Sequence, residues 1–371
     1  MNTNITILEN TIFSTNTARL KLTQALIEYG YNVTILSTGP QKEMEFAKSK
    51  GFKVVDVGAS NTSILDIFKY IKNIRTALVK TKPDIVLTFT MRPAIWGNLV
   101  TRFLRIPTIT NISGIGPLAD SESFAYKIAR LLYRFVLKKT DLIFFQNKDD
   151  YNFFIEKKFA KPGQAVIIPG SGVDYEYFAP RPQIRRDGKF IFLFISRLIK
   201  DKGILEYVDA AKALKEMYPG IVCQVLGPYY IQNLKENIIT ENQVMHWLDT
   251  GIINYLGAAL DVRPFIAEAD CIVLPSYREG MSNVLLEAGS MQKPTITADT
   301  TGCNDIVIHG VTGLLCKVRD ANDLRNKMQE MVNLSVEQRE EMGRKARERV
   351  KTTFAKKIVV DAYLQAIENV S

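Results

Sequence analysis

Histidine is almost missing from this sequence. The 371 residues hold 2, His246 and His309. Neither has an H-x-x-x-H partner, which argues against a histidine-based zinc site. Cysteine is scarce too: Cys223, Cys271, Cys303 and Cys316 form no C-x-x-C pair, so no metal or redox motif is present. Three of them lie in or beside apolar strand-like runs and read as buried free thiols of a reducing compartment. There is no G-x-S-x-G elbow and no G-x-x-x-x-G-K-[ST] phosphate loop. No two aspartates stand at D-x-D spacing, which removes the commonest short signal for a metal-held nucleotide ligand. No apolar run reaches the ~18–20 residues of a membrane span. Met1–Leu8 is polar and leads directly into a strand, so no signal peptide is expected and the cytoplasm is the expected compartment.

What is present is core material and positive charge. Apolar residues make up 46% and charged residues 23%, with 19 Phe and 15 Tyr, which excludes a disordered chain or a rod. The length exceeds the ~250–300 residues at which a single core stops growing, so two domains are expected. The net charge of +9 is uneven. Residues 1–180 hold 23 basic and 15 acidic groups; residues 181–371 hold 25 and 24. An anionic surface would therefore be met by the first half.

Strand-like runs alternate with helical patterns: Ile5–Leu8, Val33–Ser37, Val54–Val57, Ile85–Phe89, Thr108–Ile112, Leu142–Gln146 and Ala165–Ile168, with amphipathic stretches between. Several are unbroken apolar runs, the mark of parallel strands buried on both faces. Phe178–Lys189, with two prolines, a glycine and four basic residues, reads as a linker. The alternation then restarts at Phe190–Ser196 and continues through Ile221–Leu226, Asn254–Leu256, Cys271–Pro275, Thr295–Ala298 and Gly313–Cys316. The expected fold is α/β, with two doubly wound halves facing a cleft. One covers residues 1–174 and the other 175–355, and a last helix, about 356–371, packs back on the first. Ligands of such sheets bind at the carboxyl ends of strands.

Three segments stand at such ends. Pro275-Ser276-Tyr277-Arg278-Glu279-Gly280-Met281-Ser282-Asn283-Val284 carries a buried strand through a polar turn into a helix capped near Ser282. The first amides there, around Ser282 and Asn283, can hold an anion. Glu279 and Glu287 flank that point and can accept hydrogen bonds from sugar hydroxyls. Ser196-Arg197, with Lys202-Gly203, offers a fork and a point charge to a diphosphate. Gly170-Ser171-Gly172-Val173-Asp174 is a tight turn near the end of the first half. Each alone also describes an ordinary solvated loop.

Together they resemble the retaining GT-B glycosyltransferases of glycosyltransferase family 4. The pattern is a G-V-D turn (Gly172-Val173-Asp174), S-R-x(4)-K-G (Ser196 to Gly203) and P-S-x-x-E-G-x(6)-E (Pro275 to Glu287). Tyr255-Leu256-Gly257, Gly302-Cys303 and Gly310-Val311-Thr312-Gly313 add to it. Within the family the chain is most similar to bacterial transferases that extend lipid-linked oligosaccharides, of the N-acetylgalactosaminyl type. That finer match rests on Ala18-Arg19-Leu20, Gly30-Tyr31-Asn32-Val33, Ser113-Gly114-Ile115-Gly116 and Leu274 to Gly280.

The resemblance implies a retaining, metal-independent hexosyltransferase with a UDP-sugar as substrate and no cofactor. Arg197 and Lys202 would neutralise the leaving diphosphate, with Ser196 and Leu256 beside it. Glu279 would hold the transferred sugar and Glu287 the ribose diol, and the turn Gly280, Met281, Ser282, Asn283, Val284 would lie along the donor. Two departures stand out. The family's Gly-Gly loop is replaced here by Thr11-Ile12-Phe13-Ser14-Thr15, so Ser14 and Thr15 are the donor contacts expected there. The family's histidine in the first half is missing, which leaves Asn111, Ser113, Gly114 and Ser171 as acceptor-side candidates. A nucleotide-sugar epimerase and a non-catalytic nucleotide-sugar binder are the alternatives.

The expected acceptor is a polyprenyl-diphosphate-linked saccharide of surface-glycan or glycoprotein-glycan assembly. Lys127, Arg130, Arg134 and Lys138 recur at helical spacing amid aromatic and apolar residues. They predict a face that meets the anionic inner surface of the cell membrane peripherally. No RRM, KH or helix-turn-helix signature accompanies the charge, so nucleic acid is not the expected partner.

Overall fold

A computed structural model describes residues 3–58, 63–118, 123–183, 188–229 and 237–370. The chain divides into two compact units, Met1–Ser171 with Lys356–Ser371, and Gly172–Ala355.

The first unit runs β1 (Asn4–Leu8), α1 (Ile12–Asn16), α2 (Leu20–Glu28), β2 (Asn32–Ser37), α3 (Gln41–Ser49), β3 (Lys53–Asp56), α4 (Ile64–Thr81) and β4 (Ile85–Phe89). A π-helical turn, Pro93–Gly97, then leads into α5 (Asn98–Leu104), β5 (Thr108–Ile112), α6 (Phe124–Val136), β6 (Leu142–Phe145), α7 (Lys148–Glu156) and β7 (Ala165–Ile167). All seven strands are parallel, in the order β3-β2-β1-β4-β5-β6-β7. β4 and β5 are buried along their whole length, as a central parallel strand covered on both faces requires. Local signals fix the helix starts: Ser63 caps α4 through the Asp66 amide and Asn147 caps α7 through the Asp150 amide.

The second unit holds β8 (Phe190–Ile195), α8 (Ile204–Met217), β9 (Ile221–Leu226), α9 (Glu241–Asp249), β10 (Asn254–Tyr255), α10 (Arg263–Glu268), β11 (Cys271–Leu274), α11 (Asn283–Ser290), β12 (Thr295–Ala298), β13 (Gly313–Cys316), α12 (Ala321–Asn333) and α13 (Val336–Thr353). Its parallel sheet has the order β10-β9-β8-β11-β12-β13. The last helix, α14 (Lys356–Val370), belongs to the first unit, where Val359, Tyr363, Ala366 and Ile367 join the core of α2 and the central strands.

Both sheets therefore reverse direction beside their first strand: between β1 and β4, and between β8 and β11. That reversal opens a crevice at the strands' carboxyl ends, where α/β sheets bind ligands.

The expected linker differs in place. The units part at Ser171/Gly172 and again at Ala355/Lys356. The stretch from Tyr177 is already part of the second unit: Phe178 packs on its core and its carbonyl accepts from Ser290 Oγ at 2.9 Å. Proline content alone marked it as exposed, but its one large aromatic found a core. All four cysteines are buried and free; burial pushes the Cys223 thiol up to about 12, so it is unreactive as a nucleophile.

Candidate active site

In the second unit the two expected segments meet at the reversal point. Ser196 and Arg197 leave β8, and Pro275 to Glu279 leave the neighbouring β11. Lys202 Nζ lies 2.5 Å from Glu279 Oε1, both side chains mostly covered. Three further contacts hold the turns together. Tyr277 N–H donates to Asp201 O at 2.9 Å, Ser276 Oγ to the same carbonyl at 3.2 Å, and Asn237 Nδ2 to the Asp201 carboxylate at 2.6 Å. Gly203 sits at φ 74°, where a Cβ would strike the Pro275 carbonyl. Gly302, at φ 77°, lies so close that a Cβ would come within 2.5 Å of Glu279 O. Both glycines are thus obligatory for bringing the carboxylate to the lysine.

Tyr277 is a second brace, and the sequence pattern did not single it out. Its hydroxyl donates to Glu206 Oε1 at 2.7 Å and the Arg319 guanidinium lies 4.5 Å from its ring centre. Burial and the Glu206 carboxylate hold the phenol well above its ordinary range. It therefore stays protonated and donating.

Arg197 is exposed at the carboxyl end of β8. Glu287 is half-buried on α11, one turn in from Asn283. Gly280 lies half-buried in the turn, and Met281 and Val284 pack partly against the core. Leu256 follows β10, its amide bonded to Val225 O at 2.9 Å. One expectation is corrected: the Ser282 amide donates to Gly302 O at 3.1 Å and is not available to an anion. Asn283 and Val284 are the first amides of α11 left for one.

The first unit holds the acceptor-side candidates. Ser113 and Gly114 follow β5, half-buried. Asn111 is turned inward: its Nδ2 donates to Tyr363 Oη at 2.8 Å and its Oδ1 accepts from Gln146 at 3.2 Å. Asn111 and Ser171 nonetheless border one small cavity, together with Arg19, Phe89 and Tyr363. Residues 12–16 form the short helix α1 rather than a loop. Thr15 is wholly buried within it, which removes Thr15 as a donor contact, while Ser14 remains half-buried. On α6 Lys127 and Arg134 are exposed, as is Lys138 in the turn Leu137–Lys139 that follows it, but Arg130 folds inward to donate to Leu118 O at 2.9 Å. It thereby leaves the expected basic face. Among the described residues no helix is long and apolar enough to cross a membrane, and no group of three or more His, Cys, Asp or Glu side chains could hold a metal ion.

Two family models match the chain: "Glycosyl transferase 4-like" over residues 9–147 and "Glycosyl transferases group 1" over residues 178–349. Among characterised relatives, it is 25% identical over 275 residues to the N,N'-diacetylbacillosaminyl-diphospho-undecaprenol alpha-1,3-N-acetylgalactosaminyltransferase of Campylobacter jejuni. That match covers 70% of this chain and 69% of the relative. It is 26% identical over 319 residues to the UDP-Gal:alpha-D-GlcNAc-diphosphoundecaprenol alpha-1,3-galactosyltransferase of Escherichia coli, covering 81% and 79%. Sucrose-phosphate synthase from Thermosynechococcus elongatus superposes with a TM-score of 0.82 at 18% identity, over 99% of this chain and 98% of that one. Anabaena HepE in complex with UDP-glucose gives 0.81 at 15% identity, over 99% of each. These structures share the two Rossmann-like domains of the GT-B fold.

Proposed function

Because the chain belongs to the glycosyltransferases that join a glycosyl transferase 4-like domain to a group 1 domain, we propose that it transfers a sugar, an N-acetylhexosamine, from a UDP-sugar to a polyprenyl-diphosphate-linked saccharide, with retention and without a metal. The observation that carries this reading is the Lys202–Glu279 pair at the reversal point of the second sheet, with Arg197 at the same edge. The Campylobacter and Escherichia relatives, both named for transfer to undecaprenol-diphosphate-linked sugars, support the acceptor class.

In this mechanism the donor enters between the paired charges. Its diphosphate takes Lys202 and Arg197 as counter-ions, and hydroxyls of its sugar take Glu279. The bond from the anomeric carbon to the diphosphate oxygen breaks as negative charge grows on that oxygen, where preorganised cations stabilise it most. The acceptor hydroxyl attacks from the same face, and its proton passes to the departing phosphate oxygen. Full-length enzyme given UDP-N-acetylhexosamine and a polyprenyl-diphosphate-linked saccharide is expected to release UDP and lengthen the acceptor by one residue. An epimerised UDP-sugar, or binding without UDP release, would overturn the reading.

A membrane-facing side follows from the acceptor. Along α6 and the turn after it, the exposed Lys127, Arg134 and Lys138 accompany Leu131, 67% exposed, and Phe135, 51% exposed. Cations around apolar side chains suit an anionic bilayer surface, each cation adding about 1 kcal/mol near the membrane. Charge reversal of those three cations to Glu is expected to abolish co-sedimentation with anionic vesicles at low salt, leaving transfer to a soluble short-chain acceptor intact. Unchanged sedimentation would remove α6 from the membrane contact.

A further inference from the structure

The first sheet has a reversal point of its own, between β1 and β4, and an ion pair is buried beside it. Glu9 directly follows β1 and is 1% exposed. Neither of its carboxylate oxygens completes a hydrogen bond among the described residues. Its charge partner is Arg19, whose Nε stands 3.3 Å from Oε1. Arg19, itself 6% exposed, is fixed on two further sides. Its guanidinium lies 4.5 Å over the ring of Phe89, the last residue of β4, and its Nη1 donates to Ser171 Oγ. Its remaining nitrogen, Nη2, has no hydrogen-bond partner among the described residues. Arg19 borders the small cavity shared with Asn111 and Ser171. A second cation stands at the same place: Lys356 Nζ donates to Ser171 O at 2.5 Å and to Ala18 O at 3.1 Å.

An arginine held at Nη1 and on one ring face, with its Nε beside a carboxylate and a donor nitrogen left over, is a preorganised fork. Burial costs it solvation that the oblique contact with Glu9 repays only in part, since a buried pair needs good geometry and further hydrogen bonds to break even. The adjoining backbone is unusual as well: Thr90, the residue after Phe89, has φ 68° and a buried Oγ1 without a partner. A non-glycine residue held in that region at a strand's carboxyl end is a common companion of a ligand site.

We propose that Arg19, oriented by Glu9, Phe89 and Ser171, holds an anionic oxygen of a sugar diphosphate at the carboxyl edge of the first sheet. Glu9 acts as a positioning residue and Arg19 as a binding residue. The inference rests on the glycosyl-transfer reading. Both substrates of that reaction carry a diphosphate, so the test separates them.

Steady-state kinetics of the full-length chain would use two acceptors with the same saccharide: a farnesyl-diphosphate-linked form and an alkyl glycoside without phosphate. The principal variant is Glu9→Gln/Arg19→Gln, which removes both charges and leaves neither buried alone; Arg19→Lys is the conservative companion. Losing one charge-assisted contact is expected to raise the relevant KM about 10- to 100-fold. A rise confined to the farnesyl-diphosphate acceptor assigns the oxygen to the acceptor. A rise confined to the UDP-sugar assigns it to the donor. Arg19→Lys is expected to recover part of either loss. Equal rises with the diphosphate-linked and phosphate-free acceptors, or unchanged KM values with a lowered melting temperature, would reduce Arg19 to a structural ion pair and overturn the proposal. Failure of the wild-type chain to transfer to either acceptor would instead sink the functional reading. Affinity for the UDP-sugar and for the farnesyl-diphosphate-linked saccharide by calorimetry, wild type against double variant, then decides the Arg19 assignment alone: a weakened Kd for either upholds it and equal Kd values for both overturn it.

Discussion

Arg197→Ala is expected to lower kcat by about 10²- to 10³-fold, the scale of losing one preorganised donor to a developing oxyanion. The argument is electrostatic and positional. Arg197 leaves the carboxyl end of β8, and the Lys202–Glu279 pair sits where β11 ends alongside it. Glu279 already claims Lys202 at 2.5 Å. Arg197 and Lys202 together would neutralise the charge that grows on the leaving diphosphate. Since that charge is larger in the transition state than in the bound donor, the loss is expected in kcat more than in the KM for the UDP-sugar. Arg197→Lys keeps the charge without the fork and is expected to retain an intermediate rate. Radiolabelled transfer under saturating donor measures both. Near-normal turnover of the alanine variant would remove Arg197 from the reaction.

The stability of Glu9→Gln relative to wild type is expected to rise by about 2–3 kcal/mol from pH 5 to pH 8, on top of a constant cost from leaving Arg19 buried without its partner. Burial pushes the Glu9 carboxyl up from 4.5 to about 7, with Arg19 and then the Asn10 amide pulling it down incompletely. Tyr70 and Tyr363 also feel its charge; burial keeps both phenols far above the range concerned. Between 4.5 and 7 the folded chain keeps a proton that the unfolded chain has released. Wild-type stability from this group is therefore present at low pH and is lost as pH rises through 7. Glutamine, which does not titrate, escapes the loss. Urea unfolding of both proteins at pH 5, 6, 7 and 8 reads the difference directly. Parallel curves across that range would mean that Glu9 is ionised throughout.

The strands were legible in the sequence because a parallel strand buried on both faces writes itself as an unbroken apolar run. Phe190–Ile195 and Ile85–Phe89 are of that kind. Helix starts were legible where a capping side chain is present, as at Ser63 and Asn147. Glu279, Lys202 and Arg197 could be picked out because each follows a buried strand within a few residues, so local order alone places them at a sheet edge.

What local order could not decide is who meets whom. Tyr277 with Glu206, 71 residues apart, and Arg19 with Ser171, 152 apart, are joined by strand order in the sheet, which no spacing encodes. Glu9 carried one faint signal, a charge directly after the apolar strand Asn4–Leu8. Its burial was decided by the elements packed around it. The same holds for the misplaced residues: helical spacing put Arg130 on the basic face, and the carbonyl of Leu118 drew it inward. Thr15 was read as a loop hydroxyl and became the buried side of a short helix. The sequence by itself determined the elements, the resemblance to a family and the strand ends at which the candidate residues stand, because these depend on neighbours along the chain. Only the tertiary structure decided the pairings and the burial of charge, because those depend on side chains brought together across the sheets from distant parts of it.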